Sequence, residues 1–210
     1  YPRNLLLNTY KFDQNFLKKN FSFNCKNQNH VSSEIIYIAA NALSSQNIYS
    51  LSNFYLNLAK YLNKDFHSYD TLLAENFYKI NEYKSAKKIY EKLSRRGESL
   101  KWYSNKQISR ILTVEDKKEK SVQLLRRAYD ELSFKGIYET FDYAEFLKNN
   151  EEFEESINYY SIILDQINND HPLFPEVTDG RGIAYERTGQ WDKAEKDLLS
   201  SLESRPDQAY

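Results

Sequence analysis

The chain has 210 residues, with 29 Lys and Arg against 30 Asp and Glu and a net charge of −1. That balance lacks the basic surplus that non-specific nucleic-acid binding requires. Only 5 Gly and 4 Pro occur, too few breakers for a protein of many short strands and tight turns, so long helices are expected.

At the N-terminus, apolar periodicity predicts a helix around Leu5 to Lys19, and the polar stretch NCKNQNH at 24–30 then reads as a connector. Residues 1–32 are expected to be an N-terminal helix and connector, the remnant of a preceding repeat that caps the array. The beginning shows no charged leader followed by an apolar segment, and Met is absent throughout, so the chain reads as a piece of a longer protein. The longest apolar run, IIYIAA at 35–40, is far short of the ~20 residues that span a bilayer, so no membrane insertion is expected. Cys25 is the only cysteine, which excludes an intrachain disulfide framework.

Beyond residue 32 the sequence repeats itself. Small residues recur in pairs 12 apart: Ala40 and Ser52, Ala74 and Ala86, Ser109 and Ser121, Ala144 and Ser156, Gly182 and Ala194. The first members are separated by 34, 35, 35 and 38 residues. An aromatic precedes the second small residue by three in four copies (Tyr49, Tyr83, Phe153, Trp191), and Lys118 stands there in the third. Four residues after it come Leu56, Tyr90, Leu125, Tyr160 and Leu198. Each copy thus contains two helical segments with apolar residues three and four apart, and a small residue on each lets the two backbones approach closely. The aromatic is expected to cover the helix junction. The residues at the turn are Asn47, Asn81, Asp116, Glu151 and Gly189; Asn and Gly suit the left-handed conformation that ends a helix, and Glu151 departs from that preference.

This spacing resembles the tetratricopeptide repeat over about residues 33–208. The last copy carries it best, with Gly182, Tyr185, Gly189, Trp191, Ala194 and Pro206 at the family's small, aromatic, turn, aromatic, small and proline positions. The order of the copies also resembles a part of larger alphaproteobacterial tetratricopeptide-repeat proteins. The resemblance implies an all-α fold, a right-handed α-solenoid of stacked antiparallel helix pairs, with about five repeats plus the N-terminal helix. The repeats would lie near 33–66, 67–101, 102–136, 137–174 and 175–208, within a solenoid covering 33–210.

It further implies a non-catalytic scaffold that binds a partner protein or peptide in a concave groove lined by the first helices. Carried onto this chain, the groove positions are Tyr37 and Asn41; Thr71, Glu75 and Tyr78; Tyr103, Lys106 and Arg110; Tyr138, Phe141, Glu145 and Lys148; and Asp179, Ile183 and Glu186. One subclass clamps chaperone C-termini with a Lys and Asn set. Here Asn41 stands at one clamp position, but Tyr37 replaces its Lys and Leu72 its second Asn, so chaperone-tail binding is not expected. The alternatives are an accessory or regulatory domain of a larger protein with activity elsewhere, or an architectural module that self-associates through an exposed apolar end face. The resemblance implies a bacterial protein of the cytoplasm or periplasm.

No chemistry competes with that reading. His30, His67 and His171 are scattered among different copies, and none has a partner at metal-ligand spacing, so no metal or cofactor is expected. No phosphate-cradling glycine loop, nucleophile elbow or H-E-x-x-H occurs. The acids of EEFEE at 151–155 are read as helix-start residues favoured by the macrodipole rather than a catalytic pair. Arg95, Arg96, Arg126 and Arg127 form no basic stripe, and at least two should face solvent.

Overall fold

The computed structural model describes residues 23–64 and 68–204. The helix expected around Leu5–Lys19, His67 and Pro206 lie outside the described residues. Among those described there are ten α-helices and no strand: α1 Gln28–Ser45, α2 Tyr49–Leu62, α3 Ser68–Lys79, α4 Tyr83–Leu93, α5 Glu98–Val114, α6 Lys118–Asp130, α7 Ile137–Asn149, α8 Phe153–Leu164, α9 Phe174–Arg187 and α10 Trp191–Glu203. The architecture is an all-α repeat solenoid of helix pairs. Its contacts divide the chain into two compact units, up to Leu124 and from Leu125 onward, with the division inside α6.

Two element starts differ from the expected repeat limits. α1 begins at Gln28, inside the stretch read as connector, because the Asn27 side chain accepts the Asn29 N–H at 3.0 Å and caps the helix. α5 begins at Glu98 rather than near 102, directly after Gly97, whose φ of 136° breaks the preceding 3-10 turn.

Each pair is joined by the same turn. Asn47, Asn81, Asp116 and Glu151 have φ between 59° and 64°, and Gly189 has 74°. The next residue's N–H reaches back five residues: Ile48 to Leu43, Glu82 to Phe77, Lys117 to Leu112, Glu152 to Leu147 and Gln190 to Tyr185, all at 2.8–2.9 Å. The left-handed residue donates to the carbonyl three before it, as in Asn47 to Ser44 at 2.9 Å. Carbonyls that the helix end would leave bare are thereby satisfied. In the first two turns the following tyrosine locks the loop, Tyr49 Oη donating to Asn47 Oδ1 at 2.6 Å and Tyr83 Oη to Asn81 Oδ1 at 2.7 Å. Glu151 holds this backbone without a glycine's freedom, at a cost of roughly 1–2 kcal/mol.

The small residues lie where the helices of a pair meet. Ala40, Ser52, Ala74, Ala86, Ser109, Ser121, Ala144, Ser156, Gly182 and Ala194 are all buried. The Ser52 hydroxyl donates to the Ala40 carbonyl at 2.7 Å and that of Ser121 to the Ser109 carbonyl at 2.6 Å, so these two hydroxyls are satisfied across the contact. At Gly182 a Cβ would stand 2.9 Å from Leu198 Cγ and 3.3 Å from its backbone N, so any larger residue forces α9 and α10 apart. Between the first two pairs sits a buried polar set. Asn76 Nδ2 donates to Ser52 Oγ at 2.8 Å and Asn53 Oδ1 at 2.9 Å, while Asn76 Oδ1 accepts from Ser44 Oγ at 2.6 Å.

Three apolar clusters each draw on three successive helices. In the first unit Ala40, Leu56, Ala59, Tyr69 and Leu73 join α1, α2 and α3, and a second cluster around Ala74, Ala86, Tyr90, Leu93 and Ile111 joins α3, α4 and α5. In the second unit Phe141, Ala144, Tyr160, Ile163 and Val177 join α7, α8 and α9. In each of these clusters the apolar face of one helix pair is completed by a helix of the neighbouring pair, as in a repeat array. Trp191 corrects the expectation for the aromatic beside the turn: it is 65% exposed and covers no junction.

Ala86→Leu overpacks a fully buried contact and is expected to lower stability by roughly 1–3 kcal/mol; an unchanged thermal midpoint would contradict the close approach of α3 and α4. Glu151→Gly relieves the left-handed backbone at the cost of unfolded-state entropy, and a gain of up to about 1 kcal/mol in urea unfolding is expected.

Candidate functional site

In the first unit, three successive first helices bring five of the groove positions together. Tyr37 of α1 is half-buried, its ring 5.2 Å from that of Tyr69. On α3, Glu75 accepts the Tyr103 hydroxyl of α5 at 2.5 Å. Tyr78, one helical turn further along α3, lies under the Arg110 guanidinium of α5 at 5.0 Å, a cation–π contact. Tyr90, from α4, stands edge-on to Tyr103 at 6.0 Å. The result is a patch of aromatic rings carrying one carboxylate and one guanidinium.

Electrostatics explains what this patch can do. Burial, then neighbouring Tyr90 and Glu75, pushes the Tyr103 phenol far above its ordinary value. Burial and Glu75 do the same to Tyr90, and burial with Glu34 and Glu75 raises Tyr37. These tyrosines stay protonated at any working pH and serve as hydrogen-bond donors and apolar faces. Shifts in that direction oppose the poised pKa that a general base or nucleophile needs. Arg110 bonds Gln107 Oε1 at 2.9 Å and is itself exposed, so its charge remains open to an incoming anion.

The other positions of this unit contribute less. The Thr71 hydroxyl is turned to its own helix, donating to the Ser68 carbonyl at 2.8 Å. Lys106 lies over the Trp102 ring at 5.8 Å, and Asn41 is exposed.

In the second unit the groove positions divide. Phe141 is a core residue, 6% exposed between α8 and α9, and its assignment to an open groove is corrected: the helix that follows covers it. Glu145 accepts from the Tyr160 hydroxyl and, at 2.8 Å, from Lys148 Nζ. Tyr138 packs against His171 at 6.5 Å. Asp179 and Ile183 are half-buried on α9. Glu186 borders a different feature, an open apolar hollow of about 490 Å³ beside Trp191, Leu198, Leu199 and Leu202. Gly180 permits the Tyr160–Glu145 bond, since a Cβ there would stand 2.6 Å from the phenol oxygen and 2.9 Å from the carboxylate.

Several engaged residues escaped the sequence reading. Arg181 grips Asp197 through two bonds of 2.6 and 2.9 Å and reaches Ser161 Oγ at 3.1 Å, tying α8, α9 and α10 together. Glu155 is more than a helix-start acid: it accepts from Arg126 and, at 3.2 Å, from the Tyr143 hydroxyl. One signal was legible for the Tyr160–Glu145 bond and for the closeness of Tyr90 to Glu75. In the two copies whose second helix carries Tyr (Tyr90, Tyr160) instead of Leu, the residue 15 positions earlier is Glu75 or Glu145, whereas Leu56, Leu125 and Leu198 follow Asn41, Arg110 and Ile183. Among the described residues, no three His, Cys, Asp or Glu side chains gather as a metal site, and no helix is long and apolar enough to cross a membrane.

Helix pairs closed by left-handed turns, with small residues at each crossing, define a helical-repeat protein. The particular fold is that of the tetratricopeptide-repeat proteins. YrrB, whose structure is described as a tetratricopeptide-repeat protein with an unusual peptide-binding site, matches with a TM-score of 0.52 and 20% identity over 82% of this chain and 86% of its own. MamA of AMB-1 matches with 0.54 and 16% identity over 82% and 99%. The tetratricopeptide-like repeats of a putative kinesin light chain from Podosopora anserina match with 0.62 and 11% identity over 84% and 97%. No family model matches the sequence, and no curated protein matches it either.

Tyr103→Phe removes the donor to Glu75 but leaves that exposed carboxylate free to hydrate. A loss of roughly 0.5–1.5 kcal/mol in thermal unfolding with an unchanged helical circular-dichroism spectrum is expected; a collapse of the spectrum would make Tyr103 a core residue instead.

Proposed function

We propose that the chain is a non-catalytic scaffold for protein–protein interaction and that the first-helix face of its first unit binds a partner peptide. The observation that carries this is the convergence of Tyr37, Glu75, Tyr78, Tyr103 and Arg110 from three successive first helices. Aromatic rings held in place by hydrogen bonds and a cation–π contact supply contact area at low entropic cost, as interface anchors do. The exposed guanidinium of Arg110 selects for a carboxylate on the partner, and the surrounding rings for apolar or aromatic side chains beside it. The partner is therefore an extended or helical segment carrying Asp or Glu next to apolar residues. The peptide-binding site described for YrrB, which shares the fold, supports the same use of the repeats. The net charge of −1 favours a protein or peptide over nucleic acid.

Peptides selected on the wild-type chain from a displayed library, then titrated by fluorescence anisotropy, test this. Arg110→Glu is expected to weaken the selected acidic peptides about tenfold or more, and to recover binding when the peptide's acid is changed to Lys. Equal affinity of both proteins for the same peptides would remove Arg110 from the site.

A further inference from the structure

Charge is unevenly divided along the chain. Residues 1–124, the first unit, carry 20 Lys and Arg against 11 Asp and Glu, and residues 125–210 carry 9 against 19. The net charge of −1 therefore hides one unit of +9 and another of −10. Within the first unit the excess gathers on α4 and the 3-10 turn that follows it. Six basic residues stand between Lys84 and Arg96, against the single acid Glu91.

Lys84, Lys88, Lys92 and Arg95 are spaced by four, four and three residues and share one side of this stretch. All four are exposed, whereas Ala86, Tyr90 and Leu93 face the core, so the row looks outward. Among the described residues none of the four side chains forms an ion pair or a hydrogen bond. The arginines singled out in the sequence make no stripe among themselves; Arg95 instead ends one built of lysines.

The repeat does not demand this row. Aligned through the buried small residues Ser52, Ala86, Ser121, Ser156 and Ala194, the other second helices place sixteen residues at these positions. Six of them are acidic and only Arg127 and Lys196 are basic. The fourth copy has Glu154, Asn158, Ile162 and Asp165 there. Like charges four apart oppose helix formation, so the row works against the stability of α4 itself. Glu115, at the end of α5, does not relieve it. Lys117 holds that carboxylate at 2.6 Å and, ahead of Lys87 and Lys84, keeps it below the ordinary carboxylate value. The same interactions bring the α5–α6 turn, with the exposed Lys117, beside the start of α4.

The row defines the chemistry of what it can hold. Its charges rise by about 6 Å per step over roughly 16 Å, the period of acids at every fourth position of an α-helix. No large apolar side chain is exposed on α4, so the row offers neither a ring on which an unpaired base could stack nor a wedge for a bilayer. A nucleic-acid duplex continues past any such row, and the −10 of the second unit on the same chain opposes it. A short acidic helix ends where the row ends.

We propose that the outward row of α4 docks an acidic helix of a partner protein, with Asp or Glu at every fourth position facing Lys84, Lys88, Lys92 and Arg95. The attraction steers the encounter and offsets the repulsion among the lysines, so docking stabilises α4. The surface lies on a second helix and does not rest on the peptide site of the first helices.

Fluorescence anisotropy tests this with two labelled synthetic peptides of identical composition, built from Glu, Ala and Gln. In one, Glu recurs at every fourth position; in the other, the same Glu residues are spread around the helix. The wild type is expected to bind the first peptide about fivefold or more tightly than the second, and to release it as salt rises. Lys88→Glu with Lys92→Glu is expected to weaken binding about tenfold or more with an unchanged circular-dichroism spectrum, and Lys88→Gln with Lys92→Gln to weaken it less. Arg110→Glu is expected to bind as the wild type does. Equal affinity for the two peptides, no binding of either, or an unaffected double variant overturns the proposal. So does a loss with Arg110→Glu alone, which would move the acid site to the first helices. Tighter binding of a short DNA duplex than of the first peptide would assign the row to nucleic acid. A wild type that sediments as a dimer at low salt, and a Lys88→Glu, Lys92→Glu variant that does not, would assign it to the acidic unit of a second copy. Either result overturns it as well.

Discussion

One backbone constraint governs the rest: a left-handed residue at the end of every first helix. Because the turn is closed by the same pair of backbone bonds each time, it fixes the offset between the two helices it joins. The buried small residue of the second helix always stands five positions after the left-handed residue, and that of the first helix seven before it. Turn geometry and close packing are therefore one requirement. A change in loop length would move the small residues out of register and bring bulky side chains to the crossing, so the turn specifies which faces are left for the core and which for solvent.

The first-helix patch follows from that arrangement. Once the second helices are committed to the core, side chains of successive first helices come within reach of one another. Contacts between them, such as Tyr103 with Glu75 and Arg110 with Tyr78, cross between repeats rather than within one. They stiffen the surface that would meet a partner and couple it to the packing of neighbouring pairs. The tyrosines here are hydrogen-bonded amphipathic struts, with a ring in the packing and a hydroxyl at its edge.

The helix pairs were legible because they depend on spacing: small residues 12 apart, an intervening turn residue and a recurrence near 35 all survive in one sequence. Side-chain contacts between repeats were not, because they depend on which rotamer reaches which neighbour. Phe141 illustrates the limit. Its position in the repeat is that of a groove residue, yet α8 and α9 close over it, and nothing in its local pattern distinguishes it from the half-buried Tyr138. Glu155 illustrates another, since a helix-start acid and an ion-pair partner look alike until Arg126 and Tyr143 are seen beside it. The start of α1 at Gln28 was hidden for a third reason: Asn24, Asn27 and Asn29 stand close together, and each is a competent cap.

The buried amide of Asn76 bears on how such a chain can evolve. Its three hydrogen bonds are supplied by Ser44, Ser52 and Asn53 of the preceding pair. At the position of Asn76 the third and fourth copies have Ile111 and Phe146, and the last has Ala184. Repeats that share one backbone are commonly treated as interchangeable modules, gained and lost by recombination. Here the first two are keyed to each other. Inserting another copy between them would bury an amide against a surface with no matching groups, at roughly 1–3 kcal/mol. The order of the leading repeats is thereby inherited as a unit, and the bond from Arg181 to Ser161 Oγ ties the last pair to the one before it in the same way.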